Sequence, residues 1–219
     1  MNVNSIEISV SGGVLAGDLA VPTGAGSIVV FAHGSGSSRH SARNQFVAEQ
    51  LQNAGFGTLL MDLLTPAEES VDMYTREHRF DIAMLSSRVV LATDWLRDQP
   101  QYSGLKVGYF GASTGAAAAL VAATERPQVG AIISRGGRPD LAGDRLRLVK
   151  VPTLLIVGGD DTEVIALNRE AYDRLNCQKR LEIVPGATHL FEEPGTLEQV
   201  ARLAVDWFTA TAQLNREAA

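Results

Sequence analysis

Apolar and polar positions alternate in two short stretches near the start of the chain, residues 6–10 and 14–21. The Ser11-Gly12-Gly13 between them predicts a hairpin. From residue 27 the pattern changes. Ser27–Ala32 reads Ser-Ile-Val-Val-Phe-Ala, a continuous apolar run of the kind a strand shows when it is covered on both faces. Further strands are predicted over 57–62, 105–110, 129–134, 152–157 and 180–184. Helices are predicted over 41–54, 80–98, an Ala-rich 116–123, 164–175 and 197–211. Strand and helix alternate from residue 27 onward, which predicts an α/β fold: a mostly parallel sheet, helices on both faces, and the N-terminal antiparallel hairpin at one edge. Residues 63–79 lack a clear period, are rich in polar groups, and are expected to form a loop at the functional edge, too short for a cap domain. No repeat, low-complexity stretch or linker interrupts residues 1–219, so one domain is expected.

Composition narrows the function classes. The chain has 219 residues, 45% of them hydrophobic, enough for a full core. A net charge of −6 and the lack of a basic stripe argue against nucleic acid as a partner. The single cysteine, Cys177, excludes an internal disulfide and fits a reducing compartment. The first residues carry no Lys or Arg and Glu7 interrupts their apolar positions, so no secretory signal is expected. No run approaches the ~18 apolar residues of a membrane span. The expectation is a soluble, cytoplasmic protein with no membrane partner; the oligomeric state is left open.

Candidate chemistry gathers at strand ends, where open α/β sheets place their functional groups. Gly111-Ala112-Ser113-Thr114-Gly115 lies between a predicted strand and the Ala-rich helix, the arrangement of a nucleophile elbow. His33-Gly34-Ser35-Gly36 follows the strand ending at Ala32. Gly158-Gly159-Asp160-Asp161 follows Val157, and Pro185-Gly186-Ala187-Thr188-His189 follows Val184. Nucleophile, acid and base thus arrive in the order Ser, Asp, His. A serine hydroxyl needs an adjacent base to take its proton as it attacks, the role expected of His189. An aspartate would hold the imidazole tautomer, and either Asp160 or Asp161 stands in the right loop, with Asp140 after the preceding strand an outside possibility. Backbone N–H groups of Thr114 and Ser35 are expected to form the oxyanion hole. His33 is expected to anchor that loop, and His40 and His78 to be surface residues. The plain alternative for Ser113 is an ordinary helix N-cap, and for Asp161 a cap of the following helix.

With these residues in place the chain resembles the α/β-hydrolase superfamily, and more narrowly its small dienelactone-hydrolase-like members. The resemblance covers nearly the whole chain and rests on His33-Gly34-Ser35-Gly36, the Ser113 elbow, Gly158-x-x-Asp161-x-x-Val164 and Gly186-x-x-His189. It implies ester or lactone hydrolysis without a metal or organic cofactor, and favours Asp161 as the acid. Dienelactone hydrolases are expected to carry cysteine at the elbow, whereas this chain has Ser113, which points to general esterase chemistry. Cys177 lies between a helix and a strand, at the wrong end of the sheet to substitute.

The reading is a serine hydrolase acting on a small ester, lactone or thioester through an acyl-Ser113 intermediate. An acyltransferase using the same intermediate and a non-catalytic receptor on the same fold are the alternatives. Arg39 and Arg43 follow the oxyanion loop, and Arg135 and Arg138 follow the strand ending near Ser134. Arg135 or Arg138 could bind a substrate carboxylate through two parallel hydrogen bonds. Against that stands pairing of Arg138 with Asp140 or Asp144, and solvation of Arg39.

Overall fold

A computed structural model describes residues 2–217, with side chains to residue 212. The hairpin forms from β1 (Asn4–Val10) and β2 (Gly13–Ala20), paired antiparallel with Val10 opposite Gly13. The parallel strands are β3 (Ser27–Ala32), β4 (Gly57–Met61), β5 (Lys106–Ala112), β6 (Ile132–Arg135), β7 (Thr153–Gly158) and β8 (Lys179–Val184). They lie in the order β1-β2-β4-β3-β5-β6-β7-β8, with β2 antiparallel to β4 and every later pair parallel. The helices are α1 (Ala42–Asn53), α2 (Pro66–Thr75), α3 (Ile82–Asp98), α4 (Thr114–Glu125), α5 (Thr162–Arg174) and α6 (Thr196–Glu217).

Alternating residues of the apolar strands feed two cores, since successive side chains of a strand point to opposite faces. On one face Val30, Leu59 and Tyr109 pack with Leu85, Val89 and Leu96 of α3 and the alanines of α4. On the other, Phe31, Phe110 and Ile133 pack with Val47 and Leu51 of α1 and Trp207 and Phe208 of α6. The Phe31 and Phe110 rings sit 4.8 Å apart. Small side chains explain why α4 lies so deep: ten of its twelve residues are buried. Cys177 is half-buried with its Sγ 3.8 Å from Thr153 Oγ1, at the start of β7 and so at the amino end of the sheet.

Two segments differ from the pattern-based reading. Residues 63–79 are not wholly loop: they contain α2. Thr65 accepts from the Glu68 N–H while Glu68 accepts from the Thr65 N–H, and Pro66 occupies the first turn. The apolar pattern conceals this helix because Asp72 is its only buried residue, while Val71, Met73 and Tyr74 face outward. After β6, Pro139–Leu148 forms 3-10 turns broken at Gly143.

Candidate active site

The carboxyl edge of the sheet is where the elements converge. Between β5 and α4 the chain turns at Ser113, whose φ of 51° and ψ of −122° lie far from helix or strand. A non-glycine residue there stores roughly 1–3 kcal/mol of strain. The flanking glycines make the turn sterically feasible. A Cβ on Gly111 would lie 2.4 Å from Ala116 Cα, and one on Gly115 would lie 2.2 Å from the Ala32 carbonyl oxygen. The Ser113 N–H donates to the Arg135 carbonyl at 3.2 Å, and its own carbonyl accepts from Arg138 N–H at 3.0 Å. Ser113 occupies the N-cap position of α4, yet its side chain makes no capping hydrogen bond. The hydroxyl is therefore not spent on helix stability.

Asp161 shows the same departure. It holds the N-cap position of α5 without a side-chain cap. Its carboxylate turns instead to His189, with Oδ2 2.6 Å from Nδ1. A carboxylate only accepts, so in the neutral ring the proton sits on Nδ1 and leaves Nε2 as the acceptor. The His189 side chain is 39% exposed and Asp161 15%, so the ring is reachable and the carboxylate bonded to it is largely covered. Neighbouring Asp160 is exposed and engages the Ala187 carbonyl through its backbone. Gly136, directly after β6, lies close against the loop that carries His189: a Cβ there would stand 3.1 Å from the His189 carbonyl oxygen, and its φ of 50° favours glycine. On its far side the loop is tied by Glu193, which accepts from Thr188 N–H at 3.0 Å and from Thr188 Oγ1 at 2.7 Å. These bonds hold the exposed Glu193 carboxyl below the usual range.

The loop after β3 closes over the elbow. A Cβ on Gly34 would stand 3.0 Å from Ser113 Cβ, tight enough to push the loop and the elbow apart. Ser35 Oγ lies 3.0 Å from Thr114 Oγ1 and donates to the Arg79 carbonyl at 3.1 Å. The first of these bonds holds the Ser35 side chain against that of Thr114. As first residue of α4, Thr114 has its N–H outside the intrahelical ladder. His33 anchors the loop from below, buried, with Nδ1 2.9 Å from the Gly34 carbonyl and Nε2 accepting from Leu63 N–H at 3.0 Å. Burial holds its pKa below 6.5, so the neutral ring persists. On the β4 side of the loop a cleft of about 520 Å³ is bordered by Gly36, Ser37, His40 and Glu69.

The arginines divide. Arg39 bonds Asp62 and pairs with Asp18 at 3.4 Å, so it is not simply solvated. Arg43 pairs with exposed Glu192 at 3.1 Å. Arg138 makes two bonds to Asp140, at 2.9 and 2.8 Å, which commits both Asp140 and the guanidinium fork. Arg135 is only 5% exposed and, among the described residues, has no carboxylate partner. Burial, reinforced by the nearby Arg43 charge, brings its pKa down to about 10, and it stays protonated at neutral pH. Sequence reasoning did not single out Asp72 of α2 and Arg79 of the loop after it, which together support this edge. Buried Asp72 accepts from Arg79 N–H at 3.0 Å and Arg79 Nε at 2.6 Å, and the Arg79 carbonyl holds Ser35. Burial by itself would raise the Asp72 carboxyl, but the bonds from Arg79 and His78 keep it below the usual range. The Thr65-x-x-Glu68 signature was the signal that could have revealed this helix.

A family model described as the dienelactone hydrolase family matches residues 15–217. Proteins from two strains of Mycobacterium tuberculosis, each provisionally named a phosphoribosyl transferase, are 62% identical over 195 residues. That match covers 89% of this chain and 43% of theirs, so the chain spans less than half the length of these curated relatives. A solved dienelactone hydrolase from Anabaena variabilis has 59% identity and a TM-score of 0.93, covering 95% of this chain and 97% of that one. Est1E from Butyrivibrio proteoclasticus is similar at a TM-score of 0.80 with 15% identity over 95% of this chain and 99% of that one, a likeness of fold alone. With an eight-stranded, mostly parallel sheet, flanking helices and this match along nearly its whole length, the chain is an α/β-hydrolase-fold member of the dienelactone hydrolase family.

Proposed function

We propose that the chain is a serine hydrolase that cleaves a small ester, lactone or thioester through an acyl-Ser113 intermediate. Ser113 Oγ attacks the acyl carbon while His189 Nε2 takes the hydroxyl proton. Asp161 keeps the imidazole in the required tautomer and stabilises the cation that forms. The tetrahedral oxyanion is met by the N–H groups of Thr114 and Ser35, worth roughly 10²–10³ in rate for each donor in comparable sites. His189 then returns the proton to the leaving group, and a water attacks the acyl-enzyme by the same route in reverse.

The observations that carry this reading are the 2.6 Å His189–Asp161 contact and, at the same edge of the sheet, a serine whose strained turn leaves its hydroxyl uncapped. The family supports a hydrolase; ester specificity rests on this constellation. The phosphoribosyl transferase name belongs to proteins of which this chain matches 43%. The test is turnover of p-nitrophenyl esters from acetate to octanoate by wild type and Ser113→Ala. The expected result is turnover lost in the variant, with the chain-length profile sizing the acyl site. An added alcohol or amine that diverts the acyl group would indicate an acyltransferase. No turnover by wild type together with no fluorophosphonate labelling would favour a receptor.

A further inference from the structure

Arg135 is the anomaly of this site: a guanidinium almost fully buried with no acid beside it among the described residues. A desolvated cation costs several kcal/mol unless its surroundings compensate, and replacing such a group by an apolar residue of similar volume is often neutral or stabilising. What surrounds it is specific. Nη2 donates to Asn44 Oδ1 at 3.0 Å, while the buried Nε has no hydrogen-bond partner among the described residues. Asn44 is itself buried, in the first turn of α1, directly after the loop that carries Ser35. The guanidinium carbon lies 5.8 Å from the centre of the Phe191 ring. Phe191 is two residues after His189, is 1% exposed, and holds a φ of 56°, a conformation that a bulky residue keeps only when its surroundings impose it. Finally, the Arg135 carbonyl receives the Ser113 N–H.

One residue thus touches the nucleophile's turn, the base's loop and the root of the oxyanion loop. Resting on the hydrolase reading above, we infer that Arg135 is a positioning residue: its planar fork holds Phe191 and Asn44 in fixed relation from beneath, and so holds His189 and the Ser35 loop in register with Ser113. A planar guanidinium can stack on a ring and donate in its own plane at once; neither a lysine nor an apolar side chain can do both. Misplacing catalytic groups by about 1 Å costs on the order of 10²-fold in rate, so the effect belongs in kcat.

The test compares wild type with Arg135→Met on a neutral ester, p-nitrophenyl butyrate, and an anionic one, p-nitrophenyl hemisuccinate, alongside thermal unfolding. The expected result is a kcat lower by about 10- to 100-fold on both esters, KM within about threefold, and a melting temperature equal to or above wild type. Asn44→Ala and Phe191→Leu each break one arm and are expected to reproduce part of the kcat loss; they decide the matter if Arg135→Met does not fold. Unchanged kcat in the variants overturns the inference. A rise in KM confined to the anionic ester also overturns it, and makes Arg135 a substrate contact instead. Wild type inactive on both esters would be failure of the hydrolase reading, which is distinct from an active wild type matched by its variants.

Discussion

Helices α2 and α4 both start at the carboxyl edge of the sheet with a hydroxyl residue at the N-cap, and they use it in opposite ways. Thr65 spends its hydroxyl on the Glu68 N–H and receives a reciprocal bond. Ser113 makes no such bond and sits in a strained turn. A cap contributes about 1 kcal/mol, and the Ser113 backbone gives up a further 1–3 kcal/mol or so. The helix behind each explains how this is possible. Only one residue of α2 is buried, so its stability depends on its end; ten residues of α4 are buried, so packing absorbs the loss. On the proposed function, the helix that can spare its cap is the one that presents the nucleophile. Asp161 at the start of α5 likewise makes no cap, although only three residues of that helix are buried, while Ser41 and Asp81 at the starts of α1 and α3 are ordinary caps.

Substitutions at these caps should separate the two uses. The largest effect is expected for Ser113→Ala: a loss of kcat/KM on the order of 10⁵-fold or more, with unfolding free energy within about 0.5 kcal/mol of wild type. Urea unfolding and ester hydrolysis on the same preparation check both halves. Asp161→Asn should lower kcat by about 10⁴-fold through the wrong imidazole tautomer, again with little change in stability, since no cap is lost. A large destabilisation by either variant would mean that these side chains are structural after all. Thr65→Val should do the reverse, lowering stability by about 1 kcal/mol and leaving kcat within a fewfold of wild type. Asp81→Ala, at an exposed cap, should cost roughly 0.5–1 kcal/mol and nothing in turnover.

The smallest expected effect concerns the two histidines, which divide in the same way. His33 has both ring nitrogens engaged within the fold, whereas His189 is bonded through Nδ1 to Asp161 alone. Because burial lowers the His33 pKa below 6.5, the unfolded chain takes up a proton at a pH where the folded one resists it. This contribution to stability is intact above about pH 6.5 and is lost progressively as pH falls from there toward the folded pKa. Unfolding midpoints measured at pH 8 and pH 5 should show the fall, and His33→Asn should flatten it. An unchanged slope in that variant would place the proton elsewhere.

Much of this could be read from the chain because apolar runs and strand-end motifs are local signals. The buried strands, the elbow glycines and the Ser-Asp-His order all follow from residues close in sequence. What escaped depends on three-dimensional contact. Helix α2 has no inward apolar stripe, so a period search passed over it even though its capping box is written in Thr65-Pro-Ala-Glu68. The bond between Ser35 and Thr114 joins residues 79 apart. The arginines were visible as charges near one edge, and the nearby Asp140 already suggested the pairing of Arg138, but nothing local shows that Arg135 lies under an aromatic ring with no acid partner among the described residues. Asp160 and Asp161 are adjacent in sequence; only the fold shows which one faces His189.

The most direct test of the central claim is covalent labelling with a fluorophosphonate, followed by mass mapping of the modified peptide. The account predicts stoichiometric phosphonylation on Ser113 in wild type, none in Ser113→Ala, and slow labelling in Asp161→Asn. No adduct on wild type, an adduct on another residue, or equal labelling of Ser113→Ala would contradict it.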